Sequence, residues 1–236
     1  MLIIVFLSSK SNAQIHIGGK LIGLDSKVIP SSIAEHDGID YQHLWNPSAG
    51  FGIIGQFEIS NSVSVKTELL FIKKGFRRTI QSELLQIEGS TESALNYLEL
   101  PILFEFNFGE GGFTFFINAG PSFAYWKGGI ESGQIQFCNT LYEYNRHLSF
   151  NKSSHDENNP NFRHIATADR NRIDVLANLS LGVHWKNESG FGIFIESRIS
   201  QGLINYSNVE KQHFETTSGL HRNISLSIVI KQAVNH

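Results

Sequence analysis

The chain has one cysteine, Cys138, and one methionine, Met1, in 236 residues. A lone cysteine closes no internal disulfide, and no CxxC or Cys/His spacing of the metal-binding kind surrounds it. Charge is scarce as well: 17% of residues are charged and the formal net charge is −3. Neither a basic nucleic-acid footprint nor an acidic tail is present, so polyanions, and nucleic acid in particular, are not expected partners. Past the first few residues no apolar run approaches the roughly 20 residues of a helical membrane span. A chain of this kind in a membrane must cross it with strands. No GxSxG elbow, HExxH or P-loop is found, which leaves a hydrolase, a zinc protease or an NTPase without support. No Pro/Ser-rich linker or shift of composition divides the chain.

What is present favours strands and turns: 21 glycines and 18 phenylalanines, with many Asn, Ser and Ile. The first residues read as a leader, because the apolar run Leu2 to Leu7 is followed by the small-x-small pattern Ser11-Asn12-Ala13. Residues 1–13 are therefore expected to be a signal peptide and 14–236 the mature domain.

Period-two alternation recurs along that domain. The clearest run is Ile173, Val175, Ala177, Leu179, Leu181, Val183 and Trp185, interleaved with Arg172, Asp174, Asn178, Ser180 and His184. Similar runs fall at about 98–108 and 220–230, and weaker ones at 14–24, 48–59, 62–77, 113–127 and 191–205. These make eight strands. Their connections alternate in length: 25–47, 78–95, 128–171 and 206–218 are long, whereas Ser60-Asn61, 109–112 and 186–190 are short. Such asymmetry belongs to transmembrane barrels, with tight periplasmic turns and long extracellular loops. The expected fold is all-β: an eight-stranded antiparallel up-and-down transmembrane β-barrel with both termini in the periplasm of a Gram-negative-type bacterium. Trp45, Tyr97, Tyr125, Trp126, Trp185 and Tyr206 lie near strand ends, where an interfacial aromatic girdle would stand.

The polar face mixes both signs, which suits a crowded lumen held by paired charges. Glu68, Glu99, Glu105, Asp174, His184, Glu196 and Arg198 are the candidate luminal network, and Lys66, Asn118 and Asn178 share their face. His184, Asp174, Glu196 and Arg198 raise the idea of an acid–base site, though structural pairing is the better account. Gly50-Phe51-Gly52-Ile53-Ile54-Gly55 fits GxGxxG literally, but strand alternation runs through it, so it reads as wall and not as a dinucleotide loop. His36, His43, His147, His155, His164 and His213, with Asp156, Glu157 and Asp169, lack regular ligand spacing and read as solvated outer loops. No catalytic, cofactor or metal residue is assigned. The 145–172 loop is the first candidate for a binding surface.

Three stretches together resemble a known family: Leu69-Leu70-Phe71-Ile72-Lys73-Lys74-Gly75, Asn96-Tyr97-Leu98-Glu99-Leu100-Pro101-Ile102-Leu103 and Phe116-Ile117-Asn118-Ala119-Gly120-Pro121-Ser122-Phe123. They are similar to the small PorT-like, "porin family" outer-membrane β-barrels. The resemblance implies secretion, insertion by the outer-membrane assembly machinery into outer-membrane lipid, and for some relatives service to a protein-secretion apparatus. The chain departs from the usual terminal aromatic by continuing as Lys231-Gln232-Ala233-Val234-Asn235-His236. The expected function is non-enzymatic: a barrel with a filled lumen that presents extracellular loops and docks with envelope or secretion components. The alternatives are a barrel enzyme acting on outer-membrane lipid or peptide, and a soluble calycin-like carrier. The carrier would need an apolar lumen and a polar outer wall.

Overall fold

The computed structural model describes residues 14–30, 40–60, 62–84, 86–109, 111–149, 171–187, 189–204 and 219–234. The leader, residues 1–13, lies outside them, as do Tyr206 and most of the 145–172 loop.

Ten strands are formed: β1 (Ile15–Pro30), β2 (Asp40–Leu44), β3 (Asn46–Ser60), β4 (Val63–Ser82), β5 (Ile87–Phe108), β6 (Phe113–Phe137), β7 (Thr140–Leu148), β8 (Ile173–Lys186), β9 (Phe191–Gly202) and β10 (Gly219–Val234). Eight of them close a ring in the order β1-β3-β4-β5-β6-β8-β9-β10 and back to β1, all antiparallel. The path of paired residues from Ile15 runs through Phe57, Val65, Phe104, Ala119, Leu179, Ile199 and Ile224. It returns to β1 at Asp25, ten residues along. That stagger tilts the strands by roughly 35–45° and leaves an interior just wide enough for side chains to fill.

The alternation sorts as the sequence suggests. Phe51, Ile53, Phe104, Phe115, Leu181 and Leu226 stand on the outer wall, and their in-between neighbours point inward. An apolar outer wall is the reverse of what a soluble carrier would carry. The glycines of the 50–55 stretch sit inside β3, which runs on to Ser60 with no helix after it.

Three expectations need correction. The connections at 78–95 and 128–171 are not simply loops: β4 and β5 continue above the ring and pair from Arg78↔Thr91 to Ser82↔Ile87. β6 likewise reaches Phe137 and pairs with β7. β2 lies along the upper part of β4. These segments mix polar residues with the exposed Ile130, Phe137, Leu141 and Tyr142, so pairing continues where the regular hydrophobic period of the ring stops. The last strand does not end at 230 either: it continues through Val234, whose segment pairs with Ile15–Gly18. Tyr97 and Trp126 do not join a girdle: they are 3% and 1% exposed and lie in the lumen, while Tyr125 and Trp185 do face outward.

Trp126 keeps the inward parity of Ser122 and Ala124, and a bulge follows it. The β5–β6 register shifts where Asn96 pairs with Gly128 but Tyr97 pairs with Trp126, leaving Lys127 as the extra residue. Gly128 takes φ +140°, open to glycine alone, and its carbonyl accepts the indole N–H of Trp126 at 3.0 Å.

Candidate functional site

The interior is layered. Across its middle, β1 supplies Lys20, β4 supplies Lys66 and Glu68, and β9 supplies Glu196 and Arg198. No two of these three strands are hydrogen-bonded neighbours, so their side chains meet only by crossing the lumen. Glu196 is the hub. Its carboxylate lies 2.6 Å from Arg198 Nη2, 3.0 Å from Lys20 Nζ and 2.7 Å from Lys66 Nζ. Glu68 receives Arg198 Nη2 at 2.7 Å and Lys20 Nζ at 3.1 Å. Glu105, on β5, stands 3.4 Å from Lys66 Nζ. Three cations thus face three carboxylates, all buried. Isolated charges at such burial would be prohibitive, and pairing with further hydrogen bonds is what permits them. Glu105 accepts those bonds from Gln56 Nε2 at 2.8 Å and Asn118 Nδ2 at 3.1 Å. Gln56 in turn accepts from Lys231, and Ser180 donates to Asn118.

Toward the hairpin end, Glu99 pairs with Lys74 at 2.6 Å and accepts from Ser122 at 2.9 Å. Among these groups lies an apolar plug that includes Leu24, Leu70, Leu95, Tyr97, Trp126 and Leu176. At the turn end a second cluster holds Ile54, Phe116, Phe194 and Val229.

The candidate network does not gather at one place. Glu68, Glu105, Glu196 and Arg198 come together, and Glu99 is joined to Lys74. Asp174 sits near the hairpin end, 3.4 Å from His221. His184 is ten residues further down β8, roughly 33 Å at 3.3 Å per residue. There its ring stacks on Phe194 with centroids 3.7 Å apart. The acid–base grouping of His184, Asp174, Glu196 and Arg198 is thus not assembled. Lys20, Lys74 and Lys231 belong to the interior but were not among the candidates. Their parity was the available signal, since Lys20 alternates with Ile17, Gly19 and Leu21, and Lys231 with Ile228 and Ile230.

Above the ring, β2, β4, β5, β6 and β7 form a five-stranded sheet. A polar recess of 610 Å³ lies against it, lined by Arg77, Glu92, Ser132, Gln134, Glu143 and Asn145 among others. Arg77 and Glu92 pair there at 3.3 Å, each about half exposed, a contact that adds little stability. The described residues contain no group of three His, Cys, Asp or Glu placed to hold a metal. Of the six outer histidines only His43, on β2, and His147, on β7, are described, and they stand on opposite edges of this sheet.

Among solved structures, the chain is similar to the Neisserial surface protein A, NspA, with a TM-score of 0.45 and 7% identity, over 92% of this chain and 96% of that one. The outer membrane protein OprG from Pseudomonas aeruginosa gives 0.44 and 8%, over 95% and 97%. Ail, the attachment invasion locus protein of Yersinia pestis, gives 0.37 and 10%, over 92% and 97%. No curated protein matches the sequence significantly. The family model for the outer membrane protein beta-barrel domain matches residues 9–208, and by that match over most of its length the chain belongs to this family of bacterial outer-membrane barrels.

Proposed function

We propose that the chain is a closed, non-conducting, non-enzymatic barrel that acts through what it displays. The five-stranded sheet above the ring is extracellular and offered to other envelope or secretion proteins, and both termini are periplasmic. The observation that carries this reading is what stands inside the ring. A charged layer tied across three strands and an apolar plug above it stand across the interior, which supports a closed barrel, as an eight-stranded ring favours. The tight connections at 109–112 and 187–190 against long hairpins at the other end support the orientation. The separation of Asp174 from His184 supports a role without catalysis. The PorT-like resemblance makes a secretion component the partner class to test first.

In planar lipid bilayers the purified protein is expected to give no stepwise conductance; regular steps would refute the closed lumen. Cys138, exposed at the β6–β7 turn, tests the orientation. A membrane-impermeant maleimide is expected to label it in intact cells, and labelling only after permeabilisation would reverse the orientation. A photo-crosslinker attached to Cys138 is expected to give one discrete adduct with an envelope protein. Adducts with lipid alone would remove the display role.

A further inference from the structure

We infer that the outer wall carries a cationic belt that binds the phosphate groups of outer-leaflet glycolipid. The inference rests on the orientation proposed above, with the hairpins outside the cell.

On strand after strand the outward apolar series gives way to a cation at the hairpin end. On β4, Phe71 is followed two residues on by Lys73, and on β6, Tyr125 by Lys127. Arg172 precedes Ile173 at the start of β8, Arg222 precedes Ile224 on β10, and Lys27 stands outward near the end of β1. Corrected for the ten-residue stagger, the five lie within about two residues of one height. The bulge between Trp126 and Gly128 leaves Lys127 as the extra, exposed residue on the wall. Asp25 is the one outward carboxylate of the described residues at this level, and Glu92, higher up, is engaged by Arg77.

The opposite end carries no counterpart. Among the described residues no cation stands on the outer wall there: Lys186 has the inward parity of His184 and lies 3.7 Å from Glu58, which also pairs with the buried His16. The charge asymmetry of the wall thus matches a membrane with phosphate concentrated in one leaflet.

Three of the belt cations are held over rings: Lys27 Nζ is 4.7 Å from the Trp45 centroid, Arg172 Cζ 4.6 Å from Tyr125, and Lys127 Nζ 6.0 Å from Phe71. Arg222 Nε donates to Gln201 Oε1 at 2.8 Å, which fixes the guanidinium. Ammonium and guanidinium groups set at one depth are suited to phosphate oxygens, as point charges and as forks. Directly below them lie Phe71, Tyr125, Ile173 and Ile224, all exposed on the wall. A ligand that joins phosphate to acyl chains satisfies both halves of the surface, whereas free phosphate satisfies one.

The test uses the purified full chain in neutral detergent, incubated with lipopolysaccharide or with the same lipopolysaccharide dephosphorylated, and reads retained lipid by native mass spectrometry. The phosphorylated form is expected to be retained at least about tenfold better, from charge contributions of the usual size. The triple variant Lys73→Gln, Lys127→Gln, Arg222→Gln, with its fold checked by heat-dependent gel mobility, is expected to lose that preference. Equal retention of the two lipids overturns the inference, as does an undiminished preference in the folded variant. Displacement by excess inorganic phosphate would identify a free-anion site instead and overturn the lipid assignment. Should the variant not fold, the comparison of the two lipids on the unaltered chain decides alone. Failure of the orientation is read separately, from Cys138 labelling in cells.

Discussion

Replacing Glu196 with leucine is expected to cost the barrel about 3–5 kcal/mol of folding stability, because it strips a buried ionic cluster of its shared anion. Lys20, Lys66 and Arg198 all converge on this carboxylate. Without it, three buried cations face only Glu68 and Glu105. The measurement is a urea titration of protein folded into phosphatidylcholine vesicles, followed by gel mobility of unheated samples. The double substitution Glu196→Leu with Lys66→Met is expected to recover part of the loss, since it removes one charge of each sign. A loss below about 1 kcal/mol for Glu196→Leu would mean that the cluster is hydrated and not the closed layer described. Complete apolar replacement of such a cluster is often neutral or stabilising. Its value therefore lies in register: a cluster tying β1, β4 and β9 can form only when three non-adjacent strands are correctly aligned.

The outer wall was legible in the sequence because lipid imposes one rule on every second residue, and Ile173 to Trp185 obeys it without interruption. The interior was legible only as a polar face. Parity places Glu68, Glu196 and Arg198 inside, but which of them meet depends on the ten-residue stagger, a property of the closed ring and not of any one strand. Asp174 and His184 share a parity on β8 but lie ten residues apart along it, and so stand at opposite ends of the lumen. The apolar plug was hidden for a related reason. Leu70, Leu95 and Leu176 interrupt the polar face, and a search for alternation alone counts them as noise. The extended hairpins were hidden because Arg78 to Ser82 and Ile87 to Ser93 leave the apolar band, so no solvent asymmetry marks their faces. Net charge misled in its own way. A total of −3 suggests no interest in anions, yet the described carboxylates of the ring are mostly paired inside while the exposed cations gather at one end of the outer wall.

The second large effect separates lipid from water as the solvent of that wall. Leu179 and Leu141 are about equally exposed, at 58% and 55%. In water, arginine at either site would be close to neutral, since surface substitutions away from special features usually fall within about 0.5 kcal/mol. Leu179 lies midway along β8, between Ala119 and Ile199 on the neighbouring strands, far from both ends of the apolar band. An arginine there reaches neither interface without deforming the bilayer, and Leu179→Arg is expected to cost about 2–4 kcal/mol in vesicles. Leu141 belongs to β7, which pairs with β6 beyond Lys127, above the cationic belt. Leu141→Arg is expected to fall within about 0.5 kcal/mol of the unaltered protein. Equal effects at the two sites would place both in the same solvent and refute the membrane-spanning wall. A large cost at Leu179 alone means that its exposure is exposure to lipid, and the difference between two similar numbers then measures where the bilayer ends.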